Sequence, residues 1–110
     1  MSFKELLAKQ KQLDDFIIEN MGLTMNFNQR LTNTILAAMV EMGEMANEVR
    51  CFKHWSKKPS SSKETILEEY VDVLHFFLSI ANQLGFTEDD IHRMYNKKHQ
   101  KNVDRQNSGY

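Results

Sequence analysis

The chain contains very few residues that interrupt helices. Its 110 residues include one proline, Pro59, and four glycines, and no run of strictly alternating β-branched residues occurs. Proline and glycine are the residues that weaken or end helices most strongly, so their scarcity allows long uninterrupted helical segments. The apolar residues also recur at three- and four-residue intervals, which is the helical period. The sequence therefore predicts an all-α protein.

Turn and capping residues divide the chain into four predicted helices. The S-x-x-E pattern of Ser61 and Glu64 is typical of a capping box, and Thr87 stands before three acidic residues that suit the positive end of a helix. We expect the segment 53–59 to be a basic loop and residues 106–110 to be irregular. The predicted helices cover residues 3–20 with a stop at Gly22, residues 28–52, residues 61–84 with Ser61 as N-cap and Gly85 as stop, and a fourth segment capped by Thr87.

Composition and charge exclude several classes of protein. Fourteen basic and fifteen acidic residues give a net charge of -1, which argues against a binder of duplex nucleic acid. A single cysteine, Cys51, cannot form an intrachain disulfide. The longest stretch without Asp, Glu, Lys or Arg, residues 73–87, is shorter than the ~20 apolar residues of a membrane span. We expect one domain over residues 1–110, cytoplasmic, with no membrane or nucleic-acid partner.

Two pairs of carboxylates give the strongest functional signal. Glu41 and Glu44 lie one turn apart on the second predicted helix, and Glu69 and Asp72 lie one turn apart on the third. Antiparallel packing of these helices brings the pairs together, and their mutual repulsion then calls for a cation. Oxygen ligands favour Mg²⁺, with Mn²⁺ as a substitute, over Zn²⁺. The alternative interpretation is an acidic helix edge that faces solvent.

Basic and aromatic residues supply further candidate binding groups. Lys98, Asn102 and Arg105 follow helical spacing and offer a point charge, an amide and a guanidinium fork, a set that suits a polyphosphate. Trp55 lies in the basic loop beside Lys57, where a base can stack on the indole. The alternatives are a solvated basic face for the first group and a tryptophan that covers the core for the second.

The motifs resemble those of a known superfamily, the all-alpha (MazG-like) nucleoside triphosphate pyrophosphatases, whose signature is E-x-x-E followed by E-x-x-D. Within it the chain is most similar to the dimeric-type, phage-like dUTP diphosphatases. It is shortened relative to them, because helices that longer members have between Phe86 and the C-terminal motif are missing. The closer resemblance rests on LAKQKQLDDFII (7–18), EVRCFKHWSKKP (48–59), ILEEYVDVLHFF (66–77) and KHQKNVDRQNSGY (98–110).

The resemblance implies a role for each matching residue. The four carboxylates of the paired motifs would hold Mg²⁺, and a neighbouring glutamate would act as general base. The implied metal ligands are Glu41, Glu44, Glu69 and Asp72; the implied catalytic glutamates are Glu41, Glu44 and Glu48; the implied phosphate-binding residues are Lys98, Asn102 and Arg105; the implied uracil pocket is Gln10, Asp14 and Trp55, with Lys57 beside it.

The implied reaction is Mg²⁺-dependent hydrolysis of dUTP to dUMP and pyrophosphate, with dUDP as a second substrate. Two alternatives remain open at this point: a broader house-cleaning pyrophosphatase or dCTP hydrolase with the same chemistry, and a non-catalytic helical interaction module.

The third helix also carries apolar residues outside its main face, among them Phe76 and Leu78, which indicates an interface. We therefore expect a four-helix bundle that assembles as a homo-oligomer, a dimer or a tetramer.

Overall fold

The structure is a computed structural model that describes residues 1–109 of the chain. Within this range the chain forms helices and no β-strand, so the predicted all-α fold is confirmed. No helix within it is both long and apolar enough to cross a membrane. The four helices are α1 (Phe3–Met21), α2 (Phe27–Val49), α3 (Lys63–Leu84) and α4 (Glu88–Asn107).

Most predicted helix ends are confirmed by the cap geometry. Gly22 and Gly85 end α1 and α3 with φ of 62° and 76°, a left-handed conformation that glycine adopts without a steric penalty. Thr87 caps α4, as predicted, by accepting a hydrogen bond from the Asp90 amide. Asp90 in turn accepts from the Thr87 amide, which completes a capping box.

Three predicted boundaries are wrong. Helix α2 ends at Val49 rather than near residue 52, because Arg50 adopts a left-handed conformation with φ of 63° and its amide closes the last turn on Ala46. The N-cap of α3 is Ser62, which accepts from the Thr65 amide, and not Ser61. Helix α4 continues to Asn107, so the predicted irregular segment begins two residues later; Tyr110 lies outside the described residues.

Helices α2 and α3 form an antiparallel pair, and α1 packs on α3. Contacts between Thr34 and Gln83 at one end of the pair and between Glu48 and Ser61 at the other set the antiparallel register. Leu7 of α1 forms a small core with Leu78 and Ala81 of α3. The backbone carbonyl of Leu7 also accepts a hydrogen bond of 2.9 Å from the Asn82 side chain. The α2–α3 pair is therefore the frame on which α1 rests.

Helix α4 lies at the edge of this frame. Among the described residues, its backbone approaches only that of α1 within 8 Å, and Ile91 is its apolar residue packed on the core. The apolar residues of α3 are consequently not all buried: Tyr70 and Phe77 are 59% and 51% exposed. Leu78, predicted outside the main face, is buried because α1 covers it. The Cα radius of gyration is 17.4 Å, against about 13 Å for a compact chain of this length.

The start of α2 provides a test of the fold. The Asn26 side chain accepts from the Gln29 amide, and the Gln29 side chain accepts from the Asn26 amide, so Asn26→Ala removes a complete capping box. We expect this change to lower the free energy of unfolding by about 1 kcal/mol in chemical denaturation. Asn28→Ala, an exposed position in the first turn, is the matched control. Equal stability of the two variants would contradict the assigned cap.

Candidate active site

Three carboxylates from the two paired helices meet at the middle of the α2–α3 pair. Glu41 projects from α2, and Glu69 and Asp72 project from α3. Each offers one carboxylate oxygen, and these oxygens all lie within 4.8 Å of one another. We call these three residues the acidic triad. The antiparallel packing expected from the E-x-x-E and E-x-x-D motifs produces this juxtaposition.

Burial and repulsion make the acidic triad unfavourable without a counter-charge. Partial burial, followed by the charge of Glu44, raises the pKa of the Glu41 carboxyl above its ordinary value. The pKa of Glu69 is raised by the same two causes and by the charge of Asp72. Glu44 is exposed and lies outside the triad, although its charge acts on both glutamates. The fold therefore concentrates negative charge where a cation would be stabilised.

The hydrogen bonding of the triad fits a metal ion. Glu41 Oε2 and Glu69 Oε2 are both buried and have no hydrogen-bond partner among the described residues. Buried carboxylate oxygens are normally paired or coordinate a metal. A set made only of carboxylate oxygens matches the preference of Mg²⁺ and Mn²⁺. Three of the four predicted ligands are thus brought together in one place, with the fourth, Glu44, beside them.

Glu48 occupies the next turn of α2 and is held from the opposite helix. Its carboxylate accepts a hydrogen bond from the Ser61 hydroxyl, and its backbone carbonyl accepts one of 2.9 Å from the Ser61 amide. Its charge also raises the pKa of Glu69. Glu48 is therefore a carboxylate fixed in direction beside the triad, a property that a general base needs.

At the other end of the helix pair, α1 brings a polar pair to the frame. Gln10 is only 6% exposed, and its side-chain amide donates to Asp14 Oδ1 at 2.9 Å. The second oxygen, Asp14 Oδ2, is buried and lies 3.9 Å from the guanidinium of Arg30. These two polar residues of α1 thus pair with each other, and Asp14 faces the start of α2.

Trp55 lies far from this pair within one chain. The indole is 66% exposed in the loop after α2 and makes edge-on ring contacts with Phe52 and His54. Twenty residues of α2 separate Arg30, which faces Asp14, from the start of that loop, which is roughly 30 Å of helix. The single uracil pocket of Gln10, Asp14 and Trp55 is therefore not assembled within one chain. Lys57, in the same loop, is exposed.

The basic group lies on α4, the helix at the edge of the frame, and not on the pair that carries the acidic triad. Lys98, Asn102 and Arg105 are exposed and follow one line of the helix. No α-carbon of α4 lies within 8 Å of α2 or α3, the two helices that carry the triad. The predicted phosphate-binding residues and the predicted metal ligands are thus on separate parts of the chain.

Sequence reasoning missed three residues that organise these groups. Ser61 was assigned to a helix cap, whereas it holds Glu48. Arg30 faces Asp14, and Gln83 donates to Thr34 across the helix pair. No motif marks Arg30 or Gln83, because their partners are set by the packing of different helices. For Ser61 a signal exists, since Ser62 with Thr65 offers a competing cap and leaves Ser61 available.

Comparison with known proteins identifies the family of the chain. A family model described as dUTPase matches residues 2–85 and 77–110, which together cover nearly the whole chain. The chain belongs to the dUTPase family. The two matched segments overlap over residues 77–85, at the end of α3. No curated protein matches the chain. Membership of the family supports dUTP diphosphatase activity, and hence hydrolysis of a small nucleotide substrate.

The raised pKa values make stability depend on pH in metal-free buffer. Below the ordinary value of 4.5 the triad glutamates are protonated in both states; as the pH rises, the unfolded chain ionises first and the fold loses stability. Glu41→Gln removes one such charge. We therefore expect the melting temperature of Glu41→Gln, relative to that of wild type, to increase as the pH is raised from about 5 to about 8 in the presence of a chelator. Glu68→Gln, an exposed position outside the triad, is the control. If both variants showed the same increase in melting temperature relative to wild type, the triad would be excluded as the source of the pH dependence.

Proposed function

We propose that this chain, acting as one domain over residues 1–110, hydrolyses dUTP to dUMP and pyrophosphate at a magnesium site on the α2–α3 pair. The observation that supports the site is the acidic triad, which holds two buried carboxylate oxygens without hydrogen-bond partners in a chain of the dUTPase family. Glu41, Glu69 and Asp72 would bind the metal, with Glu44 as the adjoining ligand. dUDP is the second substrate that this arrangement is expected to accept.

The chemistry divides between the ion and the protein. Bound Mg²⁺ would neutralise charge on the phosphates and lower the pKa of an attacking water. The chain itself must position that water and remove its proton. Glu48 suits the role of general base because the Ser61 hydroxyl fixes the direction of its carboxylate beside the triad. Glu44, which is exposed on the same helix, is the other candidate for this role.

A second copy of the chain completes the proposed site. Trp55 is too far from Gln10 and Asp14 within one chain, and the basic group lies on α4, whose α-carbons do not come within 8 Å of the helices that carry the triad. The exposed Tyr70 and Phe77 on α3 and the large radius of gyration favour a homo-oligomer that covers these surfaces. In a dimer or tetramer, Lys98, Asn102 and Arg105 of one chain would bind phosphates held at the acidic triad of another. Trp55 would in the same way stack on a base bound by Gln10 and Asp14 of a neighbour.

A panel of nucleotides tests the proposed reaction. Pyrophosphate release from dUTP, dCTP, dTTP and dATP and phosphate release from dUDP are measured with and without Mg²⁺. We expect dUTP to be preferred and the activity to require the metal. Glu41→Gln and Asp72→Asn should lower kcat by at least about a hundredfold, since even outer-shell changes at metal sites have effects of that order. Glu68→Gln should retain activity. Equal turnover of all nucleotides indicates a broad pyrophosphatase, and no turnover indicates a non-catalytic module.

Mixing inactive variants tests the shared site. Arg105→Ala damages the tail and Glu41→Gln the triad, so a mixed dimer contains one site with both parts intact. We expect the mixture to regain up to about a quarter of wild-type activity after subunit exchange. A mixture of Glu41→Gln with Asp72→Asn should regain none, because both changes damage the triad. Light scattering should give a mass above the 13.0 kDa of one chain. A fully active monomer would contradict the proposed assembly.

A further inference from the structure

Arg50 ends α2 in a backbone conformation that residues with a Cβ rarely adopt. Its φ is 63°, and it is the one non-glycine residue with a positive φ among residues 1–109. The ends of α1 and α3 have the same left-handed conformation, but there the residues are Gly22 and Gly85. Glycine adopts this conformation without a steric penalty, whereas an arginine is strained in it. Strain of this kind points to a role for the side chain that carries it.

The Arg50 guanidinium holds the loop that follows α2 at two points. Arg50 Nη2 donates to the Ser56 hydroxyl oxygen at 2.8 Å, and Arg50 Nε donates to the backbone carbonyl of Lys58 at 3.1 Å. The same hydroxyl oxygen accepts from the Lys58 amide at 3.2 Å, so the three residues form a closed ring of hydrogen bonds. Two donors on one planar group fix their acceptors in direction as well as in distance. We call these three hydrogen bonds the Arg50 clamp.

The Arg50 clamp fixes the backbone that presents Trp55. Ser56 follows Trp55 directly in the chain, and Lys57 lies between the two residues that the guanidinium binds. Apolar burial does not hold this loop within one chain, because Phe52 and Trp55 are 49% and 66% exposed. The indole makes its ring contacts with Phe52 and His54 of the same loop. The clamp is therefore a side-chain tie between this part of the loop and the end of α2.

We propose that Arg50 is a positioning residue for the nucleobase: it holds the loop in one conformation, so that Trp55 is ordered before the nucleotide binds. This inference rests on the proposed function, in which Trp55 stacks on a base bound by a neighbouring chain. A loop that is already ordered loses less conformational freedom on binding, and the difference appears as affinity. Arg50 thus acts on the nucleotide through Trp55 and not by contact with it.

Two other roles for the arginine lead to different expectations. A positive charge at the end of α2 interacts favourably with the helix dipole, which affects stability alone. A positive charge can also bind a phosphate of the nucleotide directly. Both of these roles need a charge and not a planar fork. Arg50→Lys keeps the charge and loses the fork, so it separates them from the Arg50 clamp.

Arg50→Gly removes the side chain and keeps the left-handed end of α2. Relief of the strain partly offsets the lost hydrogen bonds, so we expect a melting temperature within about 5 °C of wild type. We expect KM for dUTP to rise at least about fivefold and kcat to stay within about twofold, because stacking stabilises the ground state and the transition state alike. Arg50→Lys should raise KM by a similar factor. Lys63→Ala, an exposed position at the start of α3, is the control for the loss of one positive charge.

The fluorescence of Trp55 reports the order of the loop without any ligand, since Trp55 is the only tryptophan of the chain. In the decay of fluorescence anisotropy, we expect Arg50→Gly to raise the amplitude of nanosecond indole motion at least about twofold. Ser56→Ala removes one acceptor of the clamp and should change anisotropy and KM in the same direction. In a Trp55→Ala background, Arg50→Gly should leave KM unchanged, because an effect transmitted through the indole is lost with it.

The outcomes separate this inference from the proposed function. A wild-type protein without turnover of dUTP contradicts the proposed function and with it the role of the loop in base binding, whereas the anisotropy still decides whether the clamp orders the loop. An indole equally ordered in wild type and Arg50→Gly overturns the inference, and so does a more mobile indole with unchanged KM. A wild-type KM in Arg50→Lys also overturns it, since the charge is then sufficient. Should Arg50→Gly fail to fold, Ser56→Ala decides by the same two measurements.

Discussion

The like-charge contact across the α2–α3 pair is the interaction on which the rest of the structure depends. Glu41 faces Glu69 and Asp72 only because two long helices pack antiparallel, and the repulsion among these carboxylates opposes that packing. The hydrogen bonds at both ends of the pair hold α2 and α3 together against it. A bound cation would replace the repulsion among the carboxylates with attraction to the ion, so that metal binding and folding would favour the same arrangement.

The hydrogen bonds at the two ends of the pair serve different parts of the proposed site. At the loop end, Ser61 fixes Glu48, and Arg50 binds the carbonyl of Lys58 and the hydroxyl of Ser56, which shapes the loop that presents Trp55. At the opposite end, the Thr34 hydroxyl accepts a hydrogen bond from the Gln83 side chain, and Arg30 faces Asp14. The acidic triad lies between them. The α2–α3 pair therefore positions a residue expected at the nucleobase, the proposed metal site and the loop that carries Trp55.

The sequence was informative where a local rule decides the outcome. The all-α fold follows from the scarcity of helix breakers, and the helix ends at Gly22 and Gly85 and the cap at Thr87 are decided by neighbouring residues. All of these features are predicted correctly. The triad is also predictable, since helical spacing and antiparallel packing suffice. Prediction failed where distant residues compete. Ser62 displaces Ser61 as the cap, Arg50 ends α2 early, and Leu78 is buried because α1 covers it, which the period of α3 alone does not reveal.

Unsatisfied polar atoms connect these findings. The buried side-chain atoms without a hydrogen-bond partner among the described residues are oxygens of Asp14, Glu41, Glu69 and Gln83. Two belong to the acidic triad, and the other two belong to residues that lie where α1 meets the end of the α2–α3 pair. Folded proteins leave few such groups, and local rules are expected to fail at functional sites. If the oxygens were incidental, they would be scattered over the fold. Their grouping into two sets places one at the acidic triad proposed for the metal and the other at the end of the fold where Gln10 and Asp14 are expected to meet the base.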